Sequence, residues 1–270
     1  MSANRNRNRS IYIINEIKYV SKAVYLLLMV VVFLFLSMAC TSTRKIEELL
    51  PVYQKIESNL AGTGMNLEIH FTKGKAHNHP LMVIWTEDTT GKYIETLFVA
   101  ESIGKGVFLH GDESTGKWLP GEIRRPAALP YWAHKRGVKA KDGLYIPTAD
   151  DPMPDAVTGA TPPGDFILNT RTSSVYPDVF KVLFEINQTW DWNEYWTNNK
   201  YPGNDEYKTS CQPALVYSAT LHPRDAGSEV ELKLIGHSHY SGENGNLFTD
   251  LSTITTAKEI TRSVKVKWVK

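Results

Sequence analysis

The chain has 270 residues, with 30 basic and 29 acidic side chains, a net charge of +1 and 42% hydrophobic residues. Residues 1–39 hold five of the basic residues and one acidic residue, so 40–270 carries 25 basic and 28 acidic residues, a net charge of −3. That balance excludes a nucleic-acid footprint. Two cysteines, Cys40 and Cys211, exclude an internal disulfide framework.

The N-terminus reads as a targeting segment. Arg5, Arg7, Arg9, Lys18 and Lys22 precede a charge-free run from Ala23 to Thr43 that ends its apolar core at Ala39-Cys40. A basic leader followed by an apolar stretch and small residues is the pattern of a signal peptide. Cys40 after Ala39 resembles the lipidation site of a bacterial lipoprotein. The same run is long enough for an uncleaved anchor. Residues 1–40 are therefore expected to be a signal peptide or membrane anchor. Either way the remainder is expected to be extracytosolic, on the periplasmic side, and tethered to a membrane.

Residues 41–65 follow as an expected helical spacer. Ile46, Leu49, Leu50, Tyr53 and Ile56 recur at helical spacing, interrupted near Pro51. Strand patterning then takes over. Leu67, Ile69 and Phe71 alternate with polar residues, and 80–85 is a compact apolar run. Asp88-Thr-Thr-Gly91 is a hairpin signal, with Tyr93–Val99 returning. Tryptophans and prolines in 118–137 suggest a short helical excursion on the sheet edge. Residues 140–163 form a long loop rich in proline and aspartate, a length often associated with function.

Alternation resumes after Gly164, with strands expected near 166–168, 180–186, 213–221, 229–235 and 261–268. Seven or more short strands with turn signals predict an all-β fold: an antiparallel β-sandwich, immunoglobulin-like, with short helical excursions. Residues 66–270 are expected to form this single domain.

Within the long loop, Asp155-Ala-Val-Thr158-Gly159-Ala-Thr161 resembles the acceptor sequence of bacterial flavin transferases, which join FMN to a threonine or serine through a phosphoester. The resemblance implies Thr161 as the acceptor, with Asp155, Thr158 and Gly159 as the residues the transferase reads. Gly159 is free to adopt positive φ, and prolines 152, 154, 162 and 163 favour an extended, exposed segment. The alternative is a proline/glycine loop capped by hydroxyl residues before a strand.

Three blocks together resemble an uncharacterised bacterial domain-of-unknown-function family of periplasmic proteins. They are Met82–Lys92 with Thr96-Leu97, Trp118-Leu-Pro120 with Arg124-Arg125, and Asp155–Gly164. That family's members look like β-sandwich proteins that travel with flavin transferases and membrane reductases. The resemblance implies covalent FMN, a flavin transferase and a membrane redox partner. The expected function is an FMN carrier in an extracytosolic electron-transfer pathway. The alternative is a non-enzymatic binding or accessory module for a membrane redox partner or small ligand.

Other constellations are weaker. His77/His79 and His237/His239 each place two imidazoles on one face if extended, which would supply two metal ligands. Trp190, Trp192, Tyr195 and Trp196 crowd one stretch, where an isoalloxazine or a sugar would stack or where aromatics would anchor a loop. Cys211 is expected to be an inert buried thiol. Glu87-Asp88, Asp112-Glu113 and Asp150-Asp151 read as solvated turn residues. Gly104-Lys-Gly106 lacks the third glycine of a dinucleotide fingerprint, and no phosphate loop, G-x-S-x-G or H-E-x-x-H occurs.

Overall fold

A computed structural model describes Val24, residues 26–31 and residues 53–269 apart from Pro177. Val24 and 26–31 are helical. The rest of the leader, Cys40 and residues 41–52 of the expected spacer lie outside the described residues. Among the described residues no helix is long and apolar enough to cross a membrane. Residues 52–270 form one compact unit.

That unit is a β-sandwich. One sheet runs β1 (Gln54–Ser58), β8 (Phe166–Arg171), β2 (Asn66–Lys73), β13 (Thr261–Val269), β11 (Glu229–Glu231). The other runs β12 (Lys233–His237), β10 (Leu215–Leu221), β9 (Phe180–Asn187), β3 (Leu81–Asp88), β4 (Tyr93–Ala100), β7 (Thr158–Gly159). The order β10-β9-β3-β4 opposite β8-β2 is that of the G-F-C-C′ and E-B strands of an immunoglobulin-like sandwich, with β13 in the place of strand A. Pairing is antiparallel except at two edges, where β1 runs parallel to β8 and β7 parallel to β4. A hairpin of β5 (Val107–Asp112) and β6 (Leu119–Glu122) stands apart as a third, two-stranded sheet.

β1 corrects the helical reading of the spacer. Ile56 packs against the sandwich core and Ser58 is buried, its hydroxyl donating to Leu97 O at 2.7 Å. Apolar residues three or four apart satisfied a helical template, but pairing of Gln54–Ser58 with Phe166–Thr170 settled the segment as an edge strand. The domain therefore begins before Asn66.

The two sheets differ in how they are buried. β2 alternates strictly, with Leu67, Ile69 and Phe71 inside. Phe71 stacks on Phe166 at 4.9 Å and meets Phe184 of the facing sheet at 5.8 Å. In β3, Met82 and Ile84 join this core while Leu81, Val83 and Trp85 enter a second core on the opposite face. A sheet covered on both sides needs apolar residues at every position, which is why 80–85 reads as a continuous apolar run.

The second core is roofed by α1 (Glu101–Lys105), α2 (Pro130–Arg136) and the loop through Ile146, Met153 and Val157. The helical part of the excursion, α2, thus lies on a sheet face, where an edge was expected, while Leu119–Glu122 forms β6 of the separate hairpin. Glu185, fully buried on β9, accepts the backbone N–H groups of Tyr131 at 3.1 Å and Trp132 at 2.8 Å. These are among the donors that a helix start leaves without an intrahelical partner. Glu87 is also buried, against the solvated-turn expectation, and accepts from Trp85 Nε1 at 2.9 Å. Lys135 of α2 lies 3.6 Å from its other oxygen. Trp132 Nε1 donates to Thr96 Oγ1 at 2.9 Å. Each buried polar group beneath α2 thereby finds a partner.

Burial pushes the Glu185 carboxyl up to about 8, partly offset by the two backbone donors. Its folded pKa lies above the unfolded value, so between those values the folded chain holds a proton that the unfolded chain has released. Stability from this group is fully present below the unfolded carboxylate pKa and falls as pH rises toward the folded one. Urea unfolding at about pH 5 and about pH 8 is expected to show lower stability at the higher pH, and Glu185→Gln should flatten that loss. An unchanged slope in the variant would remove Glu185 as its source.

Candidate functional site

The acceptor segment is built into the sheet edge. A 3-10 turn at Asp155–Val157 leads into β7, where Thr158 and Gly159 pair with Val99 and Ala100. Met153 N donates to Gly104 O at 2.7 Å and Asn59 N to Ala156 O at 2.7 Å. Val157 is buried within the motif and Pro162 just after it. Short regular pieces thus enter a stretch expected to lack them, although none spans 150–160. Thr161 itself is partly exposed, two residues past the last paired position and ahead of β8.

Gly159 plays a different part from the one expected. It does not adopt positive φ. A Cβ there would come within 2.8 Å of the Phe98 ring, and Phe98 is buried. On the facing side, a Cβ at Gly104 would come within 2.6 Å of Thr158 Cγ2. Two missing side chains let β7 press between β4 and α1.

Asp155 projects into solvent and pairs with Lys105 Nζ, which also donates to Met153 O at 3.1 Å. The hydrogen bond from Lys105 holds the Asp155 carboxyl below the usual carboxylate range, aided by its charge. Thr158 Oγ1 reaches back to Asp155 O at 3.5 Å. The motif is therefore closed on itself and on α1.

Thr161 opens onto a pocket of about 490 Å³. Glu101, Ser102 and Lys105 of α1, Val107 and Leu109 of β5, and His79 line it. The size falls within the range of small-molecule sites. Lys105 is the group that sequence reasoning missed, and His79 reads in the sequence only as a metal ligand paired with His77. Lys105 lay within Gly104-Lys-Gly106, a stretch considered only as a dinucleotide signature. Its spacing from Asp155 carries no sequence signal, because the pairing is made by the sheet.

Neither histidine pair forms the expected extended array. His77 packs on Phe71 at 5.6 Å between ring centres, while His79 sits in a bend with φ of 50° and turns to the pocket. Burial lowers the His77 pKa, with Lys73 adding to it. His237 ends β12, its Nδ1 lies 2.8 Å from Ser238 O, and its ring stacks on Phe248 at 5.3 Å. His239 lies outside the strand and accepts from Ser241 N at 3.3 Å through Nδ1. Burial lowers its pKa too. Among the described residues no group of three or more His, Cys, Asp or Glu is arranged to hold a metal.

The aromatic stretch divides. Trp196 is buried in the main core, with Nε1 donating to Thr253 Oγ1 at 3.1 Å. Trp190 and Trp192 are 66% and 57% exposed and line no part of the Thr161 pocket. Trp196 is thus corrected from stacking residue to core anchor. Cys211 is fully buried as expected, and burial raises its thiol to about 11.

The register gathers these groups. Leu81 at the start of β3 pairs with Asn187 at the end of β9, Val83 with Val99 near the end of β4, and Leu215 at the start of β10 with His237 at the end of β12. His79, α1, β7, Trp190 and His237 therefore leave one end of the six-stranded sheet. Gathering loops at one end is how sandwiches build binding surfaces.

Close approach at Gly159 has a measurable consequence. Gly159→Ala is expected to lower stability by about 1–3 kcal/mol, because the buried Phe98 ring must move. Gly164→Ala should be tolerated, since a Cβ there meets only the Lys73 side chain at 3.8 Å. Equal urea midpoints for the two variants would contradict the packing argument.

Comparison of the chain with protein-family models, with curated proteins and with solved structures gives no match, so function has to be read from the chemistry of the site itself.

Proposed function

We propose that this chain is a membrane-tethered extracytosolic carrier of FMN that passes electrons to a membrane redox partner, with a flavin transferase moving the FMN phosphoryl group of FAD onto Thr161 Oγ as AMP leaves and the hydroxyl proton is released. The observation that carries the reading is the Thr161 pocket. A partly exposed acceptor hydroxyl follows a pinned strand and opens onto a space with a cation, an imidazole and one carboxyl group, that of Glu101, on its walls. A phosphodiester at Thr161 would bring a negative charge to Lys105 and His79. Val107 and Leu109, the latter 76% exposed, offer apolar contact to a ring system in the same pocket. The flavin would supply the redox chemistry, and the protein its position and electrostatic surroundings.

The local resemblance of Asp155–Thr161 to flavin-transferase acceptors supports the same residue. Asp155 remains on the surface where another enzyme can read it, and its pairing with Lys105 holds the turn in shape before modification. The leader pattern ending at Cys40 supports tethering on the periplasmic side.

The test is co-expression of the full chain with a bacterial flavin transferase, followed by in-gel fluorescence and intact mass. The wild-type chain and Thr158→Ala are expected to carry one flavin adduct, and Thr161→Ala none. Lys105→Gln is expected to reduce labelling roughly tenfold, the scale of one lost charge-assisted contact. Equal labelling of Thr161→Ala, or a colourless wild-type product, would sink the proposal. A colourless protein that still captured a membrane reductase would favour the accessory-module alternative.

A further inference from the structure

Trp190 and Trp192 flank Asp191 in the turn that leaves β9, the strand between β3 and β10 in the six-stranded sheet. The residues between and beside them face inward. Thr256 Oγ1 donates to Asp191 Oδ1, and Asp191 N donates to Ser210 O at 3.1 Å. Asn193 Oδ1 accepts from Tyr195 N at 2.9 Å and Trp196 N at 2.7 Å, while its Nδ2 donates to Thr253 O at 2.9 Å. Trp190 N is held to Thr209 O at 3.1 Å. The turn is anchored through Asp191 Oδ1, Asn193 and the backbone, with Asp191 Oδ2 buried and unpaired, yet the two largest apolar side chains stand in water.

Trp190 does so with φ of 56°, a left-handed conformation that a bulky residue rarely adopts. Such a conformation persists only where its surroundings over-determine it, and it concentrates at ligand sites. A collapsed aromatic anchor would have no need of it. Trp196, six residues on, shows what an anchor looks like here: buried, with its indole N–H paired.

The composition of the patch selects the ligand. Residues 188–200 contain no aliphatic side chain. The other exposed residues of 190–199 are Glu194, Tyr195, Thr197, Asn198 and Asn199, and Lys200 Nζ lies 3.1 Å from the centre of the Tyr195 ring. Flat apolar faces bordered by amides, a hydroxyl and a carboxylate fit a ring with one C–H face and a rim of hydroxyls. A lipid surface would call for aliphatic residues and several cations. The i, i+2 separation limits the two Cα atoms to about 7 Å, so adjacent rings of one chain would be engaged.

We propose that Trp190 and Trp192 form a stacking platform for a neutral oligosaccharide of hexose units. The platform is independent of the flavin reading, since neither tryptophan lines the Thr161 pocket. Trp190 and Trp192 bind through their ring faces, and the amide-rich segment 197–199 takes the hydroxyl rim.

The test is calorimetric titration of the full chain with cellohexaose, chitohexaose and maltohexaose. Saturable binding to at least one of the three is expected. Trp190→Ala and Trp192→Ala should each weaken it roughly tenfold or more, with thermal midpoints close to wild type because both rings are exposed. Trp118→Ala, which removes another exposed indole at 64% exposure, should leave binding unchanged. Flavin labelling should be the same in all three variants. Absence of binding to all three sugars overturns the proposal. So does equal weakening by Trp118→Ala, or binding to anionic phospholipid vesicles that Trp192→Ala abolishes while no sugar binds. Loss of flavin labelling in Trp192→Ala without sugar binding would assign the platform to the flavin site instead.

Discussion

The buried Glu185 carboxyl group is the fastening on which the rest of the structure depends. It lies at the centre of a sheet that must be covered on both faces, and it receives the first N–H groups of α2 at 2.8 and 3.1 Å. Without it, those donors would be buried against apolar neighbours with no acceptor. Each would cost on the order of 1–3 kcal/mol. The same contact places Trp132 over the sheet, where its indole N–H finds Thr96. Once α2 is seated, Ile146, Met153 and Val157 have a surface to close against. Those three residues fix the path of the chain that leads to Thr161. The apolar burial beneath the roof supplies most of the favourable energy. The Glu185 carboxyl group decides where the roof sits.

Downstream of that fastening, mobility is rationed. Val157, Thr158 and Gly159 are held by packing, by pairing with β4 and by close contact with Phe98. Pro162 is buried again. Only Ala160 and Thr161 lie between these anchors, so Thr161, the proposed acceptor, sits on a short arch with little freedom. Such an arch costs another macromolecule less ordering entropy to engage than a free loop would. It also fixes Thr161 relative to Lys105, because Lys105 is tied to the same segment through Met153 O and Asp155.

Alternation made the sandwich legible. β2, β9 and β13 were readable because each places apolar residues on a face toward the other sheet, and Asp88–Gly91 because its turn chemistry is local, with Gly91 at φ of 85° donating to Asp88 O at 3.1 Å. β1 was hidden because Tyr53 and Ile56 fit a helical period as well as an edge strand, and its partner lies more than a hundred residues away. Glu185 sat in plain view between Phe184 and Ile186, an acid inside an apolar strand. That anomaly was the available signal for a buried polar contact. Which tryptophans face water was not readable, since 190–196 is aromatic at nearly every second position and only the inward hydrogen bonds of Asp191 and Asn193 separate Trp192 from Trp196. The acceptor motif was read from local residues alone. Its pocket required α1, β5 and the His79 bend, which are separated in sequence.

The arrangement has a polarity that follows from the sheet itself. The five-stranded sheet presents the polar positions of alternating strands to its outer side, with ion pairs such as Lys265–Glu229 at 2.7 Å, and surface pairs of this kind contribute little. The six-stranded sheet spends both faces on packing, so its chemistry is forced to the strand ends. There the chain is stiffened by side chains acting as braces: Asn78 N donates to Gln188 Oε1 at 2.7 Å, linking the His79 bend to the segment that begins the Trp190 turn. That brace joins the wall of the Thr161 pocket to the base of the tryptophan platform. Two positive-φ residues, His79 and Trp190, lie on either side of it. Strain at both is held by the same hydrogen-bonded end of β3 and β9. A sheet buried on both faces cannot build a site on its surface, and so it builds one at its rim, where irregular backbone is tolerated because the paired strands behind it are rigid.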